Sequence, residues 1–177
     1  MKRVVVYYSY SGNNELLAKE LQNRLDCDIV KINEVKKRNA LTILIDIIFN
    51  RNTKVVRPKV LFSQYDRVIL LAPIWAGRIA KPMRSFIKLE KENLKVYSFM
   101  TLCGEGGNKN ILAELTRHAG KPPVSILELK VSDLLKSKNQ RKFTSAYKLN
   151  EEDIKFYSES IEHYLNSESS DELIYMV

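Results

Sequence analysis

The chain has 177 residues, of which 45% are hydrophobic, and a formal net charge of +8; that length suits one domain with a substantial core. No apolar run approaches the ~18 residues that span a bilayer, and Met1, Lys2 and Arg3 lead straight into a strand pattern with no signal-peptide core, so a cytoplasmic, soluble protein without a membrane span is expected. Cys27 and Cys103, the two cysteines, form no CxxC pair and argue against a disulfide framework.

Taken in chain order, residues 4–8 (VVVYY) are apolar without alternation, as in a strand covered on both faces. A polar loop without lysine or arginine follows (Ser9, Tyr10, Ser11, Gly12, Asn13, Asn14), and Leu17, Leu21 and Leu25 then mark a helix. Residues 27–32 alternate more and fit an edge strand. Residues 40–50 are helical and apolar over a wide arc, which suits either a core helix or a homodimer face. Residues 51–60 (RNTKVVRPKV) carry four basic side chains and no acid.

A second double-covered strand occupies residues 67–72, then PIWAGR (Pro73, Ile74, Trp75, Ala76, Gly77, Arg78) leads to a helix marked by Met83, Phe86 and Ile87. A third spans residues 96–102 and ends in LCGEGG (Leu102, Cys103, Gly104, Glu105, Gly106, Gly107), followed by the stripe Ile111, Leu112, Leu115 and His118. A fourth covers residues 124–131. Residues 132–149 carry five basic side chains against Asp133. Neither basic segment has the aromatic interleaving or recognition-helix pattern of a nucleic-acid module, so no nucleic-acid partner is expected. Asn150 caps a last helix with Glu151, Glu152 and Asp153 in its first turn and the stripe Ile154, Tyr157, Ile161, Tyr164 and Leu165. Residues 1–165 therefore read as one domain and residues 166–177 as a C-terminal tail.

Strand and helix alternate throughout, which predicts an α/β fold with a doubly wound five-stranded parallel sheet. In the order 2-1-3-4-5, with helices on both faces, strands 1, 3 and 4 lie side by side, and ligands bind at their carboxyl ends where the winding reverses. The loops at residues 9–14, 73–78 and 102–107 then converge on one crevice. In that order Cys27 and Cys103 sit three strands apart, about 14 Å at ~4.8 Å per step, too far for a disulfide.

The crevice excludes several chemistries. A P-loop kinase needs GxxxxGK[ST], and a dinucleotide site needs GxGxxG, whereas the first loop has only Gly12. A phosphatase of this architecture needs a cysteine and an arginine in the first loop, and a receiver domain needs an aspartate where Ala72 and Pro73 stand. What remains is a phosphate held, without reaction, by backbone N–H groups, hydroxyls, amides and a helix dipole. Trp75, the single tryptophan, offers a face for a planar ring, and the glycines of the third loop allow backbone to approach a flat ligand. His118 and His163 lie on helical stretches and read as ordinary packed or surface histidines.

These stretches, YYSYSGNN, YDRVILLAPIWAGRIAKPMRSFI and VYSFMTLCGEGG, together resemble the flavodoxin-like FMN-binding family. The resemblance implies that Ser9, Tyr10, Ser11, Gly12, Asn13 and Asn14 hold the FMN phosphate. It puts Trp75 on the flavin ring, with Pro73, Ile74, Ala76 and Gly77 beside it. Leu102, Cys103, Gly104, Glu105 and Gly107 would face the pyrimidine edge. Arg78, the basic balance and the lack of an aromatic in the third loop set the chain apart from acidic members. Three readings stay open: an electron carrier between redox partner proteins, an FMN-dependent NAD(P)H reductase of a quinone or other small-molecule acceptor, and a binding module without cofactor.

Overall fold

The continuous apolar runs become strands because only a sheet covered on both faces removes every one of their side chains from water. A computed structural model describes residues 1–36, 53–106, 110–141, 143–167 and 174–176. The first part of the chain forms β1 (Arg3–Tyr7), α1 (Asn13–Leu25), β2 (Asp28–Lys31) and β3 (Arg67–Leu71). A short hairpin, β4 (Ile74–Trp75) and β5 (Arg78–Ile79), leads into α2 (Lys81–Glu90). The rest comprises β6 (Tyr97–Cys103), α3 (Ile111–Ala119), β7 (Ser125–Lys130), α4 (Val131–Ser137), α5 (Glu151–Lys155), α6 (Ser158–Ser167) and β8 (Ile174–Met176).

The main sheet runs β2-β1-β3-β6-β7-β8, and every neighbouring pair is parallel. Its first five strands have the flavodoxin-like order expected from the sequence. The sixth is a difference: Ile174–Met176, in the stretch assigned to a tail, pairs with Ser125–Leu127 and extends a sheet expected to have five strands. An apolar segment returning past α6 finds the unpaired backbone of β7 as its partner.

Alternate strand residues point to opposite faces, so the core has two layers. Val4, Val6, Val68, Leu70, Tyr97 and Phe99 pack with residues of α2 and α3. Val5, Tyr7, Ile69, Leu71, Met100 and Leu102 pack with α1, α4, α5 and α6. Truncating one such side chain to alanine costs about 2–5 kcal/mol. Helices thus cover both faces.

Three further differences concern helices. Leu112 was expected on the buried stripe of α3 but is 37% exposed, and the buried face is Ile111, Glu114, Leu115, His118 and Ala119. The last helix divides into α5 and α6 around Phe156 and Tyr157, yet Ile154, Tyr157, Ile161 and Tyr164 stay on one buried face. At the start of the basic segment, α4 takes Val131 from the expected strand and buries it with Leu134 and Leu135. The apolar stretch 40–50, read as a core or homodimer helix, lies outside the described residues. The chain on either side of it is joined by antiparallel pairing of Glu34 with Val55. Among the described residues no helix is long and apolar enough to cross a membrane.

Candidate functional site

The three singled-out loops leave the carboxyl ends of β1, β3 and β6, which are adjacent strands. In the first loop, Gly12 stands at the N-cap of α1 with φ 100°. That left-handed conformation strains any residue with a Cβ, and no atom lies within 4 Å of where one would sit. The Ser9 hydroxyl accepts a hydrogen bond from Gly12 N at 3.1 Å. Tyr10, Ser11 and Gly12 are exposed. No side chain caps α1, and its first-turn N–H groups, on Asn13, Asn14 and Glu15, are ones that no carbonyl within the helix can reach.

Asn13 and Asn14 are buried and their amides are committed elsewhere. Asn14 Nδ2 donates to Leu102 O at 3.1 Å, and its Oδ1 accepts from Leu102 N at 3.1 Å, so the start of α1 is clamped to the end of β6. Asn13 Nδ2 donates to Tyr147 O at 2.8 Å while its Oδ1 accepts from Leu149 N at 3.1 Å. The sequence assigns both amides to the phosphate, whereas in the fold each amide oxygen and one N–H of each amide are taken up by backbone, and the backbone N–H groups of the two residues face the start of the helix.

In the second loop, residues 74–79 form a hairpin whose turn residues, Ala76 and Gly77, have φ 46° and 70°. Two positive φ values define the turn that best matches strand twist, and alanine there carries backbone strain of the kind that gathers at functional sites. Ala80 N donates to Pro73 O at 2.9 Å and closes the base of the loop. Trp75 is half-buried, and its ring meets Tyr8 edge-on at 5.8 Å and Tyr10 at 6.1 Å, with interplanar angles of 83° and 90°. Tyr8, just before the first loop, and Tyr10, within it, thus orient the tryptophan of the second.

In the third loop Cys103 is buried, and burial together with the Glu128 charge pushes its thiol up to about 12. Its Sγ donates to Leu129 O at 3.5 Å. A thiol held protonated is no nucleophile at neutral pH, which leaves backbone as the contribution of Cys103. A Cβ on Gly104 would come within 2.8 Å of Thr144 Oγ1, so this glycine permits a close crossing by the 144–149 segment. Glu105 is exposed. Gly107 lies outside the described residues.

Two features here had escaped the sequence reading. The segment from Thr144 to Leu149 passes from Gly104 to Asn13 and so ties the third loop to the first; its partners are too distant in sequence for a local pattern to mark them. The second is a charged group behind the hairpin. Glu114 is buried on α3 and accepts from Ile79 N at 3.0 Å, with Arg84 Nη1 at 3.3 Å and His118 Nε2 at 3.8 Å from Oε1. Burial raises its carboxyl, but His118, the Ile79 N–H and Arg84 together outweigh it and hold Glu114 below the usual carboxylate range. Arg84 is lowered first by burial, and the like charges of Arg78 and Arg117 add to that. Glu114 stood in the sequence three residues after Ile111 and four before His118, a carboxylate on an otherwise apolar stripe. That was the available signal.

Comparison with solved structures finds chains of similar fold. A flavoprotein from Lactobacillus acidophilus NCFM, solved in complex with FMN, matches with a TM-score of 0.63 at 17% identity, over 77% of this chain and 97% of that one. The apo-form of the flavoprotein from the same organism, solved by NMR, matches at 0.60 and 15% identity over 79% and 97% of the two chains. Oxidised Flavodoxin 1 from Bacillus cereus gives a TM-score of 0.49 at 16% identity over 92% and 99%. No protein-family model matches the sequence, and no curated protein does. At these identities the likeness is one of fold: the chain is a flavodoxin-like α/β protein.

Proposed function

We propose that the chain is an FMN-binding redox protein of the cytoplasm that passes electrons between partner proteins, with residues 1–165 as its cofactor-binding domain. The observation that carries this reading is the uncapped start of α1. Serine and asparagine are the best helix caps, and both types stand in the loop, yet Asn13 and Asn14 turn their amides to other backbone. The helix end, with its positive dipole, is left for an anion.

The residues present fit FMN in its two chemically distinct parts. Ser9, Ser11 and the N–H groups of Ser11, Asn13, Asn14 and Glu15 would hold the phosphate, with Gly12 and Tyr10 beside them. Trp75, oriented by Tyr8 and Tyr10, would lie on the flavin ring. The backbone of Pro73, Ile74, Ala76 and Gly77 and of Leu102, Cys103, Gly104 and Glu105 would line its edge. Bound there, FMN would supply one- and two-electron redox chemistry. The chain's own residues hold and orient it, and the loops give it a wall on each side. The FMN complex of the Lactobacillus acidophilus flavoprotein, which shares the fold, supports the choice of cofactor.

Absorbance of the purified protein with mass analysis of the released cofactor tests the reading, and FMN is the expected mass. Titration of the apo-form should quench Trp75 fluorescence, and Trp75→Ala should weaken binding by about 1–3 kcal/mol, the scale of base–aromatic stacking. A colourless protein that takes up no FMN on titration overturns the proposal. A second reading, a reductase that draws electrons from a nicotinamide for a small acceptor, is favoured by one observation, the arginine-lined cleft beside Gly77. Rapid aerobic oxidation of NAD(P)H by the loaded protein alone would select it.

A further inference from the structure

Between the β4-β5 turn and α3 lies a cleft of about 450 Å³, lined by Gly77, Arg78, Asn110, Ala113, Glu114 and Arg117. That volume is within the range of small-molecule sites. Arg78 and Arg117, whose charges act on Arg84, line the cleft beside one carboxylate, Glu114. Arg84 is paired to it at 3.3 Å, and neither Arg78 nor Arg117 makes an ion pair or side-chain hydrogen bond among the described residues. Like charges placed together disfavour the folded chain unless something offsets them, and neither arginine need stand here for structure, since both are exposed. Beneath them Glu114 Oε1 and Arg84 Nε are buried and without a hydrogen-bond partner among the described residues. The first turn of α3 adds its positive end on the same side, through Asn110 and Ala113.

We infer that this cleft is an anion site that takes a phosphate group of a small molecule. Phosphate suits it better than a single carboxylate. Arginines on β5 and α3 can each present a fork of donors to a tetrahedral dianion, while Arg84, paired to Glu114 at 3.3 Å, offsets the carboxylate at the base. The site is separate from the phosphate loop: its lining comes from the second loop and α3, and it shares with the candidate cofactor site only Gly77 of the hairpin turn. Arg78 pairs with Trp75 across the hairpin, so the two side chains share a face, and a molecule anchored here by its phosphate would reach toward Trp75. Anion binding in the cleft does not depend on the flavin reading.

The test uses the full chain and inorganic pyrophosphate as probe, followed by calorimetry and by backbone amide shifts, with the protein both untreated and saturated with FMN. Saturable binding is expected in both states, with shifts at Gly77 and Ala113. Arg117→Ala and Arg78→Ala should each weaken it about tenfold or more, the loss of one charge-assisted contact. Both positions are exposed, so the variants should fold as the parent does. Lys155→Ala, on α5, should bind as the parent. Citrate in place of pyrophosphate distinguishes a carboxylate site, and preference for it overturns the phosphate assignment. Absence of binding, equal affinity in the arginine variants, or shifts confined to residues 9–14 overturns the site. A chain that takes no FMN but binds pyrophosphate at Gly77 and Ala113 would sink the flavin reading and leave this one standing.

Discussion

Pairing between β3 and β6 ends at Leu71 with Met100, so the backbone of Leu102, two residues further along β6, would face an empty position on that side if Asn14 did not fill it. A side-chain amide has the donor and acceptor of a peptide group, and Asn14 uses both against Leu102 at 3.1 Å. Buried backbone groups left without a partner cost free energy comparable to a lost hydrogen bond. Asn14→Ala should therefore destabilise the apo chain by about 1–3 kcal/mol. Asn14→Asp should cost more, because a carboxylate would replace the donor that faces the Leu102 carbonyl. Urea denaturation measures both, and an unmoved midpoint in the alanine variant would show that the amide pair contributes nothing. In the sequence, Asn13-Asn14 reads as part of a candidate ligand loop, and the fold places the pair at the start of α1, after the carboxyl end of β1. The use of the amides was not legible, since Leu102 is 88 positions away and Tyr147 is 134 from Asn13.

The segment that joins α4 to α5 depends on a short network around Asp153, a buried carboxylate. Asn150 Oδ1 accepts from Asp153 N at 2.9 Å, and Asp153 Oδ2 accepts from Asn150 N at 3.0 Å, a reciprocal cap. The Tyr147 hydroxyl donates to Oδ2 at 3.1 Å, and Lys138 Nζ, at the end of α4, donates to Oδ1. The cap was legible because asparagine followed by three acids is a local signal. The helix α4 was not, because Val131 continues the apolar run of β7 and the helix has only seven residues, too few to establish a period. Burial raises Asp153, but Lys138, the Asn150 N–H and Tyr147 outweigh it, so the carboxyl sits below its ordinary value. A carboxyl lowered by folding stabilises the folded state above its unfolded value of about 4, and that contribution is lost as pH falls through the folded value. Asp153→Asn should thus cost about 1–3 kcal/mol at pH ~7 and less at pH ~3, which lies below the unfolded value. Denaturant curves at the two pH values decide it; an equal penalty at both would mean that packing, and not charge, carries the role of Asp153.

For the molecule as a whole, the four central strands were readable because burial on both faces leaves no polar alternation, and β2 was readable as an edge because its outer positions stay partly exposed. What defines the candidate crevice is their order, since adjacency of β1, β3 and β6 brings three loops together. The sixth strand escaped notice because three residues carry too little pattern to separate a strand from a tail. Its position predicts a separation between stability and binding. β8 pairs with Ser125, Ile126 and Leu127, at the start of β7, whereas the candidate site lies at the carboxyl ends of the strands. Removing residues 168–177 would expose that part of β7 as a free edge and forfeit a few ladder hydrogen bonds, each worth about 0.5–1.5 kcal/mol net. The truncated chain should unfold at lower urea by about 1–4 kcal/mol and should self-associate, since an uncovered parallel edge pairs with other chains. FMN affinity, measured on the monomeric fraction at low concentration, should match that of the full chain. Parent-like stability and size-exclusion behaviour would remove β8 from the cooperative core, and a large loss of FMN affinity without a loss of stability would place the C-terminal segment in the binding site instead.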